Sequence, residues 1–244
     1  MKFLYPYKYM SIVNLYESKA IKKYIKSKNS PQYEATKINY RDRVLVCGGS
    51  GTGKTHALVN YLLLSPNCYH KIIVVSKNIE EPLYEYLKDK LKEKIVFYEL
   101  NRFPSMNQLA KEHKEDDDDE LLIIYDDIVN DIAKGNNVIE NYFIAGRKLG
   151  FTQFFLTQSY FKTPKTIRLQ LTHLMLLKLS SNSDLTCLLR DFALGIDKKE
   201  LVNLYKDATK QKFHFLFIDI NATDGNKKFS HNFNNFYEIA DEED

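Results

Sequence analysis

The chain has 244 residues, 44% hydrophobic and 27% charged, with a formal net charge of +3. That length allows one large domain with a sizeable core, or a domain with a small appendage. The composition is globular and excludes a disordered chain, and so small a net charge does not by itself announce nucleic-acid binding. Cys47, Cys68 and Cys187 are scattered, without a CxxC pair or an even disulfide framework, which points to a reducing intracellular compartment. No apolar run approaches the roughly 18 residues that span a bilayer. The start, Met1-Lys2-Phe3-Leu4-Tyr5-Pro6, lacks the apolar stretch of a signal peptide, so a soluble protein is expected.

Residues 1–40 read as a basic arm, with Lys19, Lys22, Lys23, Lys26, Lys28 and Lys37. Apolar spacing predicts a helix within 11–28, and Asn29-Ser30-Pro31 opens a linker. The arm fits either a phosphate-contacting segment or a solvated helical face. A core is expected over residues 41–220. Arg43–Cys47 reads as a buried strand, residues 48–55 as a glycine-rich loop, and His56–Leu64 as a helix stopped by Pro66. There follow a strand over Lys71–Ser76, a helix over Glu81–Lys92 with Pro82 in its first turn, and a strand over Ile95–Tyr98. Ser105 caps a short helix to about Glu112, before the acidic run of residues 115–120. Next come a strand over Leu121–Tyr125, a helix over Val138–Leu149 ended by Gly150, and a strand over Thr152–Thr157. A strand over Leu174–Leu179, helices near 183–193 and 197–208, and a strand over Lys212–Ile220 complete the core. Residues 221–244 read as a tail with the acidic end Asp241-Glu242-Glu243-Asp244. Continuous apolar strands alternating with helices predict an α/β fold whose mainly parallel central sheet is covered on both faces. Its functional residues should lie just beyond strand C-termini.

The loop reads Gly48-Gly49-Ser50-Gly51-Thr52-Gly53-Lys54-Thr55, a complete P-loop followed by His56. Its glycines let backbone N–H groups turn inward around phosphate oxygens where a Cβ would obstruct them. Lys54 can reach the β- and γ-phosphates as a mobile point charge, and the Thr55 hydroxyl can ligate Mg2+. Residues 48–56 are therefore the expected ATP-binding segment, on a helix N-terminus whose free amides and dipole favour an anion.

Hydrolysis needs a held metal, an oriented water and neutralised charge. Leu121–Asp127 fits a Walker-B element: Asp126 would hold Mg2+ through water, and Asp127 would act as general base or orient the water. The plain alternative is that the two acids cap the segment that follows. Gln158, at the tip of the next strand, can hydrogen-bond the attacking water or the γ-phosphate, or simply satisfy loop backbone. No arginine lies in the loop, so the charge-stabilising group comes from elsewhere. Arg147, acting from a neighbouring subunit, is preferred, with Arg168 second and Arg190 also a candidate.

Several motifs together resemble a known group. They are Gly48–Thr55, the double Asp at 126–127, Gly146-Arg147-Lys148, and Phe155-Leu156-Thr157-Gln158-Ser159-Tyr160-Phe161, followed by Pro164-Lys165-Thr166-Ile167-Arg168. Over about residues 40–220 the chain is similar to the genome-packaging ATPases of poxviruses, other large DNA viruses and virophages, in the FtsK/HerA class. The resemblance implies a RecA-like P-loop NTPase in a homo-oligomeric ring, pentamer or hexamer, with ATP between subunits. It also implies double-stranded DNA in the channel, capsid or portal-vertex proteins as partners, and residence in the host cytoplasm (the virus factory) or the virion. No nuclease domain is expected after the last strand. DNA contact should be sequence-independent, through Lys162, Lys165 and Arg168, or through Lys206, Lys210 and Lys212. Two other readings keep the same motifs: a helicase or conjugation-type translocase, and a slow nucleotide-dependent switch or scaffold.

Overall fold

A computed structural model describes residues 18, 29–114, 120–132, 138–192 and 194–239. The basic helix expected within 11–28, most of the acidic run at 115–120 and the acidic end at 241–244 lie outside the described residues.

The described chain opens with a short helix, α1 (Tyr33–Thr36), where only a linker was expected. Ile38 and Thr36 behind it are fully buried, so this segment is packed onto the core. Then come β1 (Arg43–Cys47), α2 (Lys54–Leu64), β2 (Lys71–Ser76), α3 (Pro82–Leu91) and β3 (Ile95–Tyr98). They are followed by α4 (Met106–Lys114), β4 (Leu121–Asp126), α5 (Val129–Ile132), α6 (Val138–Ala145) and β5 (Phe151–Thr157). The chain continues through α7 (Lys165–Arg168), β6 (His173–Leu176), α8 (Asn182–Asp191), α9 (Lys198–Ala208), β7 (Leu216–Asp219), β8 (Phe229–His231) and β9 (Asn235–Phe236).

Local chemistry explains several of these boundaries. Pro82 opens α3, where its missing N–H would have had no partner. Ser181 and Asp197 cap α8 and α9 by accepting from the N–H groups of Ser183 and Glu200. The helix expected to run to Leu149 stops at Ala145 and tightens into a 3-10 turn, Gly146–Leu149. Buried Gln153 explains the glycine: its Nε2 donates to Tyr142 O at 3.0 Å, and a Cβ on Gly146 would lie 2.7 Å from that nitrogen. The small residue thus lets the turn pack on its own strand.

The nine strands form one sheet in the order β3-β2-β4-β5-β1-β6-β7-β8-β9. Pairings from β3 through β6 are all parallel, and β7, β8 and β9 join antiparallel. Chain order reverses at β1, which is where ligands bind on sheets of this kind. Alternate residues face opposite layers, as the period of a strand requires. Val44, Val46, Ile124 and Phe154 pack under α2 and α3. Leu45, Cys47, Ile123 and Phe155 pack under α6, α8 and α9. The sheet is therefore buried on both sides.

Two elements differ from expectation at the C-terminal end. The last expected strand, Lys212–Ile220, is β7 alone, because Phe213 has a positive φ of 72° that breaks an extended run. The segment read as a tail supplies β8 and β9, which extend the sheet through Phe229 and Ser230.

Phe154 is fully buried, its ring 4.6 Å from that of Tyr61 on α2. Phe154→Ala is expected to cost about 3–5 kcal/mol through lost burial and a residual cavity. Urea unfolding of the two proteins measures it.

Candidate nucleotide and metal site

Parallel register brings the motif residues to one edge. Cys47 pairs with Thr157 and with Leu176, and Asp126 pairs with Leu156. Gly48, Asp127 and Gln158 therefore leave their strands side by side. The loop from Gly48 to Thr55 is tied to the neighbouring strand ends: Gly48 N–H donates to Thr157 O at 3.1 Å, and Gly49 N–H to Lys178 O at 2.9 Å. Gly51 and Gly53 have φ of 70° and 103°, conformations that an L side chain resists. Lys54 Nζ donates to the carbonyls of Gly48 and Gly49, at 3.1 and 3.2 Å. Its ammonium thus arches over the concavity that a phosphate would share with it. Ser50, Gly51 and His56 are exposed at the mouth of the loop.

The acid side of the site is more elaborate than the motif. Asp126 ends β4 and is 7% exposed. Tyr84 on α3 donates to its Oδ2 at 2.6 Å. Burial raises its pKa to about 6, with the Glu81 and Asp127 charges adding to the rise and Tyr84 and Lys54 opposing it. Thr55 Oγ1 donates to Glu81 Oε2 at 3.1 Å. Glu81 and Tyr84 were not picked out from the sequence. The signal was available in part, because Glu81 follows β2 at the same sheet edge.

These residues fit Mg2+. The Thr55 hydroxyl directs its proton to Glu81, so its lone pairs remain for a cation, and Asp126 is a buried carboxylate that a divalent charge would keep ionised. Among the described residues no group of three or more His, Cys, Asp or Glu side chains could hold a metal ion by itself. That suits Mg2+, which retains waters and binds one or two carboxylates together with substrate phosphates.

Asp127 has a φ of 53°, a left-handed conformation that Asp tolerates better than most residues. It turns an exposed carboxylate toward Gln158, whose Nε2 donates to Asp127 Oδ1 at 3.3 Å. The loop beyond Gln158 is held by Asp184, only 1% exposed, which accepts from Ser159 Oγ at 2.9 Å and Phe161 N–H at 2.8 Å. Asp184 too was missed, because nothing in its local pattern sets it apart from an ordinary first-turn acid.

The arginines separate clearly. Arg168 is 6% exposed, paired with Asp191, bonded to Cys187 Sγ and set 5.1 Å from the Tyr160 ring centroid. It is a structural cation, which removes it both as a charge-stabilising finger and as a channel residue. Arg190 is an exposed side chain that reaches Cys187 Sγ at 3.1 Å. Arg147 is exposed in the turn before β5, and its charge contributes to lowering the pKa of Arg43 at the start of β1. It therefore lies at the opposite sheet edge from its own P-loop, about 20 Å away by strand rise.

A family profile described as Poxvirus A32 protein matches residues 32–244. No curated protein matches the chain by sequence. Among solved structures, the fold is similar to B204, the DNA-packaging ATPase from Sulfolobus Turreted Icosahedral Virus. The TM-score is 0.58 at 16% identity, over 80% of this chain and 98% of that one. It is also similar to the genome packaging NTPase B204 from Sulfolobus turreted icosahedral virus 2 in complex with ATP-gammaS. There the TM-score is 0.56 at 17% identity, over 79% of this chain and 97% of that one. At such identities the likeness is one of fold.

The electrostatics of Asp126 have a measurable consequence. Native Asp126 keeps its proton up to about pH 6, whereas the unfolded residue releases it near 4. Its contribution to stability is present below about pH 4 and is lost as pH rises to about 6. Asp126→Asn keeps an acceptor for Tyr84 and carries no charge. Urea unfolding in EDTA should find the variant more stable than wild type by on the order of 1–3 kcal/mol above pH 6.5, and the gap closing toward pH 4.

Proposed function

The chain belongs to the poxvirus A32 protein family, and from that premise we propose that it is an ATP-hydrolysing motor that translocates double-stranded DNA into a viral capsid. The observation that carries this reading is the convergence at one sheet edge of the P-loop, the buried Asp126 and the Asp127–Gln158 pair. Amides of residues 48–56 and the Lys54 ammonium would hold the phosphates of ATP. Thr55 and Asp126 would hold Mg2+, which when bound neutralises charge between the β- and γ-phosphates. Asp127 would accept the proton of the attacking water while Gln158 orients it. That B204 is a genome packaging NTPase solved with ATP-gammaS supports the same reading for a chain of the same fold.

The further parts of the reading rest on geometry. Arg147 lies too far from its own P-loop to touch ATP there, which supports action on a neighbour's ATP in a pentameric or hexameric ring. Lys162 and Lys165 are exposed beyond Gln158 and are the preferred cations for sequence-independent contact with DNA phosphates. The partners would be DNA and capsid or portal-vertex proteins, and the place of action the virus factory or the virion. Among the described residues no helix is long and apolar enough to cross a membrane. The working organisation is an ATPase core over 41–220 preceded by a basic arm whose last part, around Thr36 and Ile38, packs onto it, and followed by a C-terminal segment 221–244 whose strands complete the sheet.

ATP turnover should rise when double-stranded DNA is added, and the stimulation should fade as salt increases. Lys54→Ala should abolish turnover, since the phosphates lose their principal cation. Turnover indifferent to DNA at every salt concentration would favour the switch reading instead. Arg147→Ala should bind ATP normally and fail to hydrolyse it, by about 1,000-fold or more. Mixing it with Lys54→Ala subunits should restore part of the activity, and no recovery at any mixing ratio would contradict action in trans.

A further inference from the structure

On the side of the P-loop away from Asp126, the turn between α9 and β7 folds back onto the nucleotide loop. Phe213 in that turn has a φ of 72°, a left-handed conformation that a bulky aromatic residue rarely adopts. Its ring lies directly against the P-loop backbone: a Cβ on Gly53 would come within 2.4 Å of Phe213 Cδ1. The ring of His56, the first residue after Thr55, sits 4.8 Å from it at 35°. Phe213 nevertheless remains 40% exposed, so burial within the isolated chain offsets little of the backbone cost. Between this turn and the P-loop is a cavity of about 320 Å3, lined by Gly51, Thr52, Lys178, Lys210, Gln211 and Phe213 among others.

The polarity of a bound triphosphate is set by the sheet. The γ end must face Asp126 and Gln158, on the β4 and β5 side of β1. The α-phosphate would then leave past His56, whose ring meets Phe213 beside the cavity. A nucleobase reaching that cavity meets an aromatic face and the Gln211 amide, which offers both a donor and an acceptor. Gly51 and Thr52 of the P-loop line this cavity, so it adjoins the phosphate-binding loop.

We propose that Phe213, flanked by His56, is the stacking platform for the base of the nucleoside triphosphate held in the P-loop. The inference rests on the ATPase reading and adds the base subsite to it. It also moves Lys210 and Lys212 from the DNA-contacting set to the nucleotide site. Lys212 Nζ lies 4.7 Å from the Phe213 ring centroid, and Lys210 lines the cavity itself.

Inorganic tripolyphosphate separates the base from the phosphates. Calorimetric titration with Mg2+ should find ATP binding wild type about tenfold more tightly than tripolyphosphate, the size expected of one base–aromatic stack. Phe213→Gly removes the ring and suits the left-handed backbone, so the variant should fold with an unchanged or higher Tm. Its ATP Kd should rise about tenfold while its tripolyphosphate Kd stays fixed. Phe213→Tyr should keep the wild-type difference, and Phe213→Leu, apolar but not aromatic, should lose it. The proposal is overturned if Phe213→Gly and Phe213→Leu retain the ATP advantage. It is also overturned if both ligands weaken equally, since the ring would then only support the P-loop. Wild type binding the two ligands equally would remove the base subsite and leave the phosphate site standing. Wild type binding neither would remove the ATPase reading itself.

Discussion

A triphosphate carries more charge than a few side chains can solvate, so the fold must offer backbone amides, and a glycine loop leading into a helix N-terminus leaves them free. The chain between Gly48 and Thr55 meets that constraint by passing from a buried strand into α2 within eight residues. Everything else at the site depends on how firmly that turn is held. It is bonded on both sides, to Thr157 at the end of β5 and to Lys178 beyond β6. The strands that anchor the loop therefore also set its distance to the acids. Parallel pairing is what allows this, because it places several strand ends at one edge without any side chain having to reach across the sheet.

The parts of this arrangement legible in the sequence are those with local signals. Arg43–Cys47, Lys71–Ser76 and Ile95–Tyr98 match their strands residue for residue, because each is a continuous apolar or β-branched run bounded by turn residues or a helix. The P-loop, Asp126 and Gln158 were legible because their chemistry is tied to strand ends. What escaped notice depends on pairs distant in the chain. Glu81 becomes interesting only when it receives the Thr55 hydroxyl, Tyr84 only when it donates to Asp126, and Asp184 only when it receives Phe161 N–H. Arg168 failed as a surface candidate for the same reason, since its partner Asp191 sits on a different helix. The loss of extended structure before Leu216 was hidden too. A positive φ at a phenylalanine runs against the residue's own preference, and its neighbours Gly53 and His56 are distant in the chain, so no local signal announced it.

The acid cluster also explains why the site would be selective for a loaded substrate. Asp126, Glu81 and Asp127 repel one another, and burial raises the cost of ionising the first of them. Lys54 relieves part of this, but its ammonium is shared with the Gly48 and Gly49 carbonyls. A nucleotide arriving with a divalent cation would supply the missing positive charge on the acid side. The same nucleotide would offer its phosphates to Lys54 and the loop amides on the other. Either component alone would satisfy only half of the site, so under the proposed reading the two binding events would favour each other.

The position of Arg147 then bears on assembly. Within one chain, the phosphate site has the Lys54 cation and would gain a metal's charge, while Arg147 lies at the far end of its strand. Of the three candidate arginines, Arg168 is buried in an ion pair with Asp191, Arg190 reaches back to Cys187, and Arg147 lies at the N-terminal edge of the sheet. In the proposed ring, the strand-end edge of one subunit would meet another face of the next, which would let an arginine at the far edge approach a γ-phosphate. Completion of the charge balance would then require a neighbour, and hydrolysis would be coupled to how subunits sit around the ring. The turn that carries Arg147 is well suited to such a role, because Gly146 packs tightly on Gln153 while the arginine itself stays in solvent. A packed turn under an exposed side chain would let the fit between subunits decide whether the charge arrives.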